Sequence, residues 1–313
     1  LWAEVPTIKA KGRRPRVVLV GESVARGYLF DPVFTPAQVL ASLVDVEVVD
    51  LARTDFGLSQ LQELLTQIPA LKPDYLIVWC GNNWQRVLDA ELRAQMFQSL
   101  RSGKSLTACR RDLEVQYWQK ISKKLWKAFQ NVTVPTLIVA PAINLTGWTW
   151  LKREIEAPFL KPRESELWSQ YFSQATKYFE KSKFQQTLKL AERLIKIDKG
   201  LSAMSLELLG RSQAALGLHN DARRSFEAAS DNMILETTRP IPRMRSVVRG
   251  ILKELAASQN FDFVDLAEEF KQGTGVNTDG LFLDYCHLSA DGINRAMSCI
   301  ASRVGAALTK SNK

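Results

Sequence analysis

The chain has 313 residues, 46% hydrophobic and 24% charged, with 42 basic against 33 acidic side chains and a net charge of +9. That length and composition fit one large or two ordinary folded domains and exclude a disordered or fibrous chain. There is no apolar run near the roughly 18 residues of a membrane span, no opening signal peptide and no Cys-x-x-Cys among the four cysteines, which points to a reduced, cytoplasmic compartment.

Residue 1 is Leu, which leaves the natural start and a leader upstream of it open. The positive charge suits nucleic acid, an acidic membrane surface or an acidic protein. With no nucleic-acid motif present, the expectation falls on an acidic protein partner or on solubility alone. Residues 1–16, ending Lys9-Ala10-Lys11-Gly12-Arg13-Arg14-Pro15-Arg16, read as a solvated linker, as in a domain cut from a larger polypeptide.

Val17-Val18-Leu19-Val20 runs into Gly21-Glu22-Ser23 and a helical segment follows. An apolar run bounded by glycine predicts a fully buried strand of a parallel sheet. Parallel α/β sheets place their sites at the carboxyl ends of the strands, so Ser23 stands on the turn there. Taken alone, a serine that only caps a helix accounts for it equally well. Pro36–Leu43 predicts a helix, Val46–Val49 a second strand leading to Leu51-Ala52-Arg53-Thr54-Asp55-Phe56-Gly57, and Ser59–Ile68 an amphipathic helix. Tyr75-Leu76-Ile77-Val78 is a third strand that ends in Trp79-Cys80-Gly81-Asn82-Asn83. Residues 88–130 are helical in pattern with a break at Gly103, and Thr136-Leu137-Ile138-Val139 is the fourth strand. Trp148 and Trp150 follow that strand's carboxyl end, where they would line a pocket or pack helices onto the sheet.

Residues 164–232 break the strand–helix alternation with helices only. Two hairpins fit, at roughly the 34-residue spacing of tetratricopeptide repeats. Leu209-Gly210, Ala222, Phe226 and Ala229 occupy packing positions of the second hairpin. The first is weaker, with Tyr178 in place but Thr187 where a small Ala is usual, and His219 falls in the turn 217–221. Two hairpins are too few to stand alone, so they should pack on the α/β body. Met244–Ser258 predicts a basic helix, Phe261–Leu266 a fifth strand, and Ile293–Leu308 a closing helix. The domains expected are thus a linker at 1–16, an α/β body at 17–163 and 233–313, and a helical insert at 164–232.

Between the last strand and the last helix stands Asp284-Tyr285-Cys286-His287. The chain has two histidines, and a serine needs a neighbouring base to become a nucleophile. An imidazole suits that work at neutral pH, and a carboxylate on its other nitrogen fixes the tautomer. A chance Asp-x-x-His in a surface loop is the alternative.

In their order along nearly the whole chain, Ser23, Gly57, Asn83 and the Asp284…His287 pair resemble the four blocks of the SGNH (GDSL-type) hydrolase superfamily. The resemblance implies an SGNH/flavodoxin-like three-layer α/β/α fold on a five-stranded parallel sheet, here with an inserted tetratricopeptide-like segment. It implies Ser23 as nucleophile, His287 as base, Asp284 as its orienter, and Ser23, Gly57 and Asn83 as oxyanion donors. Two positions depart from the pattern. Glu22 replaces the usual Asp, and Trp84 stands where an acidic residue often follows. Glu22 is expected to leave the nucleophile untouched, while Trp84, with Trp148 and Trp150, is a candidate substrate wall. The Gly-x-Ser-x-Gly elbow of α/β-hydrolases fits less well, because that elbow lies mid-chain and its acid and histidine occupy separate loops.

The activity implied is cleavage of an ester or thioester through an acyl-enzyme, with no metal or cofactor. The substrate is a small acyl ester or a carrier-bound acyl group. An acyltransferase or chain-releasing domain in a biosynthetic assembly, and a binding module that works through its helices, are the alternatives.

Overall fold

The computed structural model describes residues 7–84, 90–146, 160–232, 243–271 and 280–311. Five strands form one sheet: β1 (Arg16–Gly21), β2 (Glu47–Asp50), β3 (Tyr75–Trp79), β4 (Thr136–Ala140) and β5 (Asp262–Asp265). All pairs are parallel and the order is β2-β1-β3-β4-β5. This is the flavodoxin-like order, and its connections reverse direction between β1 and β3.

The side-chain alternation of a strand explains the layers. Val18, Val20, Leu76, Val78 and Ile138 face α3 (Leu58–Gln67), α5 (Leu106–Phe129) and α10 (Ser246–Ser258). Val17, Leu19, Ile77, Trp79, Leu137 and Val139 face α1 (Ser23–Arg26), α2 (Pro36–Leu43), α11 (Leu266–Glu269) and α12 (Ala290–Ser311). Both faces are covered, so the three central strands are buried throughout and apolar apart from Arg16 and Thr136 at the starts of β1 and β4. Each such aliphatic side chain contributes roughly 1.5–3 kcal/mol of burial. The expected break at Gly103 separates α4 (Ala90–Arg101) from α5. Helix starts follow local chemistry: Thr35 and Gln38 form a capping box before α2, and the Ser105 hydroxyl accepts from the N–H of Ala108 at the start of α5.

Among the described residues, four helices lie between β4 and α10: α6 (Pro162–Glu180), α7 (Phe184–Asp198), α8 (Ala203–Ala215) and α9 (His219–Asn232). Each packs on the next. Gly210 touches the Phe226 ring so closely that a Cβ would stand 3.0 Å from it. Thr187, the poor fit in the repeat pattern, is fully buried and donates its hydroxyl to the Lys183 carbonyl. Asp198 ties three helices together by accepting from Trp168 Nε1, Ser205 Oγ and the Gly200 N–H. No described helix is long and apolar enough to cross a membrane.

Two expectations are corrected. Arg16 is not part of a solvated linker. It opens β1, is 2% exposed, and grips the Glu47 carboxylate with Nε and Nη2 at 3.0 and 2.9 Å, while the Leu71 and Lys9 carbonyls take its other donors. His219 is the first residue of α9, with the acidic Asp221 in the first turn behind it, rather than a turn residue.

Candidate active site

The chain leaves β1 at Gly21, and Ser23 opens α1. Gly21 is obligatory there, since a Cβ would lie 2.5 Å from the Trp79 carbonyl oxygen and 2.3 Å from the Ala25 Cβ. This close approach sets Ser23 at the carboxyl edge of the sheet beside the β1/β3 reversal, where open α/β sheets form their crevice.

His287 comes from the other end of the chain, yet its Nε2 is 2.8 Å from Ser23 Oγ. Its Nδ1 is 2.6 Å from Asp284 Oδ2. With the ring proton on Nδ1, the imidazole donates to the carboxylate and accepts from the serine hydroxyl. Asp284 Oδ1 accepts the N–H groups of Cys286 and His287 at 2.9 and 2.8 Å. Burial pushes the Asp284 carboxyl up, but the ring bond and those two N–H groups outweigh it and hold the group below its ordinary value. The carboxylate therefore stays charged beside an imidazole that is 7% exposed. The loop closes on itself through the Leu283 N–H to the His287 carbonyl and the Ser289 N–H to the Leu281 carbonyl.

The other expected residues are near but not equivalent. Asn83 follows β3, and its Nδ2 donates to the Phe56 carbonyl over a long 3.4 Å. The Ser23 N–H has no hydrogen-bond acceptor among the described residues. The Gly57 N–H, by contrast, donates to the Gln60 side-chain oxygen at 2.6 Å. It is held as the start of α3 and meets another acceptor only if Gln60 gives way. Trp84 is partly buried against the α3/α5/α10 side of the core. Trp148 and Trp150 lie outside the described residues.

Asp284, Cys286 and His287 carry potential metal ligands within 4.8 Å of one another. The carboxylate and the ring are committed to each other, and burial, with the Asp284 charge, pushes the Cys286 thiol well up, so a metal finds poor ligands here.

No protein-family model and no curated protein matches the sequence. Solved structures similar in outline include a protein assigned to the lipolytic G-D-S-L family from Desulfitobacterium hafniense DCB-2 (14% identity, 93% of this chain and 99% of that one, TM-score 0.41). A member of the same family from Veillonella parvula DSM 2008 shares 12% identity over 92% of this chain and 97% of its own, TM-score 0.39. A GDSL-like lipase from Bacteroides thetaiotaomicron VPI-5482 shares 9% over 92% and 88%, also at 0.39. At these scores the likeness carries no weight for chemistry, which rests on the geometry above.

Two residues outside the expected set hold the site in shape. Glu22, 1% exposed, accepts the N–H groups of Asn82 and Asn83 at 2.8 and 3.1 Å. The Glu in place of Asp therefore does touch the site, by pinning the loop that carries Asn83 to the residue before the serine. Asn144, four residues past β4, donates its N–H to the Tyr285 carbonyl at 2.9 Å and its Nδ2 to the Asp284 carbonyl at 3.1 Å. Neither bond leaves a spacing signal, because each crosses between strand ends far apart in sequence. Beside Asn82 N–H, the Asn82 side-chain amide is buried with no hydrogen-bond partner among the described residues.

Proposed function

We propose that the chain is a serine hydrolase of SGNH type that cleaves an ester or thioester through an acyl-enzyme on Ser23. One observation carries this reading: a hydroxyl and a carboxylate 261 residues apart in sequence bracket a single imidazole at 2.8 and 2.6 Å. His287 takes the Ser23 proton as Oγ attacks the carbonyl carbon, and Asp284 stabilises the cation that forms. The oxyanion is met by the Ser23 N–H and the Asn83 amide, and by the Gly57 N–H once Gln60 is displaced. His287 returns its proton to the leaving alcohol or thiol. Water, deprotonated by the same ring, then releases the acid and restores Ser23.

The four-helix segment is read as an insert in this hydrolase, and its tetratricopeptide-like packing as the platform that holds it to the body. A carrier-bound acyl donor and an alcohol or amine acceptor remain the second reading, favoured by the excess of basic side chains, which suits an acidic carrier. The test is incubation with a panel of acyl esters and thioesters, with and without added alcohols and amines, and mass analysis of the products. Free acid alone supports hydrolysis, and acyl transfer to the added nucleophile supports the second reading. No acyl turnover across the panel would remove both.

A further inference from the structure

Both ring nitrogens of His287 are already engaged, Nδ1 by Asp284 and Nε2 by Ser23. The surroundings can act on the charge of this ring only through its two faces and its edge. The Tyr28 ring lies against it, with centroids 4.4 Å apart and planes tilted by 38°, and Tyr285 approaches edge-on at 5.8 Å.

The turn that caps α1 brings Tyr28 there. Gly27, at φ 78°, turns the chain after α1, and a Cβ on it would stand 2.8 Å from Pro36 Cδ. Leu29, at φ 76°, adopts the same left-handed conformation, which a side chain with a Cβ disfavours. Between these two bends the Tyr28 N–H donates to the Ser23 carbonyl at 3.0 Å, so the ring is tied to the backbone of the nucleophile. Tyr28 is 41% exposed, and its hydroxyl has no hydrogen-bond partner among the described residues. The same left-handed cap that ends α1 therefore fixes the Tyr28 ring beside His287.

We propose that Tyr28 is a positioning residue for His287, whose π face stabilises the imidazolium that forms when Ser23 attacks. An aromatic face attracts a cation far more than a neutral ring. The imidazole is neutral before attack and charged after it, so the contact strengthens toward the transition state and raises kcat. The proposal rests on the reading of His287 as the base.

The test compares kcat and KM for p-nitrophenyl acetate in Tyr28→Phe, Tyr28→Trp and Tyr28→Leu, with folding checked by circular dichroism. The Phe and Trp variants should keep kcat within about two-fold, and the Leu variant should lose between several-fold and about thirty-fold in kcat with KM little changed. A Leu variant as active as the Phe variant, a loss confined to KM, or a Phe variant as impaired as Leu would overturn the proposal. If the Leu variant does not fold, Tyr28→Met, flexible and without a π face, replaces it under the same criteria. Ser23→Ala separates the two levels. If it is inactive while the Leu variant is normal, only the role of Tyr28 falls; if it retains full activity, the reading of the site falls with it.

Discussion

Asn83 and Gly57 enter the sequence as a matched pair of oxyanion donors, but their amides are not in the same condition. Asn83 Nδ2 donates to the Phe56 carbonyl over a long 3.4 Å, whereas the Gly57 N–H is captured by Gln60 at 2.6 Å. Asn83→Ala should therefore lower kcat by roughly 10²–10³ with a smaller change in KM. A large KM change at constant kcat would make Asn83 a substrate-binding residue instead. Gln60→Ala frees the Gly57 N–H. If Gly57 serves the oxyanion, small-ester kcat should hold or rise in this variant, and a drop of the size seen for Asn83→Ala would show that Gln60 itself is needed. The convergence of Ser23 with His287 was legible in the sequence, because each sits in a compact local motif and the strand-end rule brings the two motifs to one edge. The capture of Gly57 and the Glu22 clamp were not legible. Both depend on how far a side chain reaches across neighbouring turns, which motif spacing does not encode.

At the level of elements, the strands follow from their apolar runs and the helices from 3.6-residue periodicity broken by Gly103, while the β2-β1-β3-β4-β5 order is what the superfamily resemblance implies. What the periodicity missed lies at element ends, where Arg16 starts a strand and His219 starts a helix. The loop bearing Asp284 and His287 is fastened to the end of β4 by Asn144, whose two bonds end on the backbone of Asp284 and Tyr285. Asn144→Ala should cut small-ester kcat by roughly ten- to a hundred-fold, the usual consequence of a sub-ångström to one-ångström misplacement of a base. Unchanged kcat would show that the loop's own bonds suffice. At the end of β2, burial pushes the Asp50 carboxyl up to about 6 against the opposing pull of the Ala52 N–H and Arg26. The pull of Arg26 is shared, since its guanidinium also pairs with Asp31. A raised folded-state value means that stability is full below the unfolded value and is lost as pH rises through about 6. The loss is on the order of 3 kcal/mol. In Asp50→Asn the difference in unfolding free energy from the wild type should change between about pH 4 and 7 by an amount of that order, measured by urea unfolding. A pH-independent difference would contradict the assignment.

For the molecule as a whole, α9 is joined to the sheet's carboxyl edge. Arg223 bonds the Ala267 carbonyl and Glu268, Glu227 meets Arg249, and Leu145 packs with Ala222 and Phe226. Leu145 directly follows Asn144, so the four helices and the loop bearing Asp284 and His287 share one short connection. The exposed faces of α6 and α7 are a separate matter, carrying Lys177, Lys189 and Lys196 in solvent. Reversing these charges to Glu should leave p-nitrophenyl acetate turnover almost unchanged and alter preference among larger or carrier-bound acyl donors. Loss of small-ester turnover in these folded variants would mean that the helices build the catalytic site itself. Every expectation about turnover depends on Ser23 being the nucleophile, and covalent labelling tests that most directly. A fluorophosphonate probe followed by peptide mass analysis should place the adduct on Ser23. In Ser23→Ala the adduct should vanish and esterase activity should fall by up to about 10⁶-fold. An adduct on another residue, or full labelling and turnover in Ser23→Ala, would contradict the account.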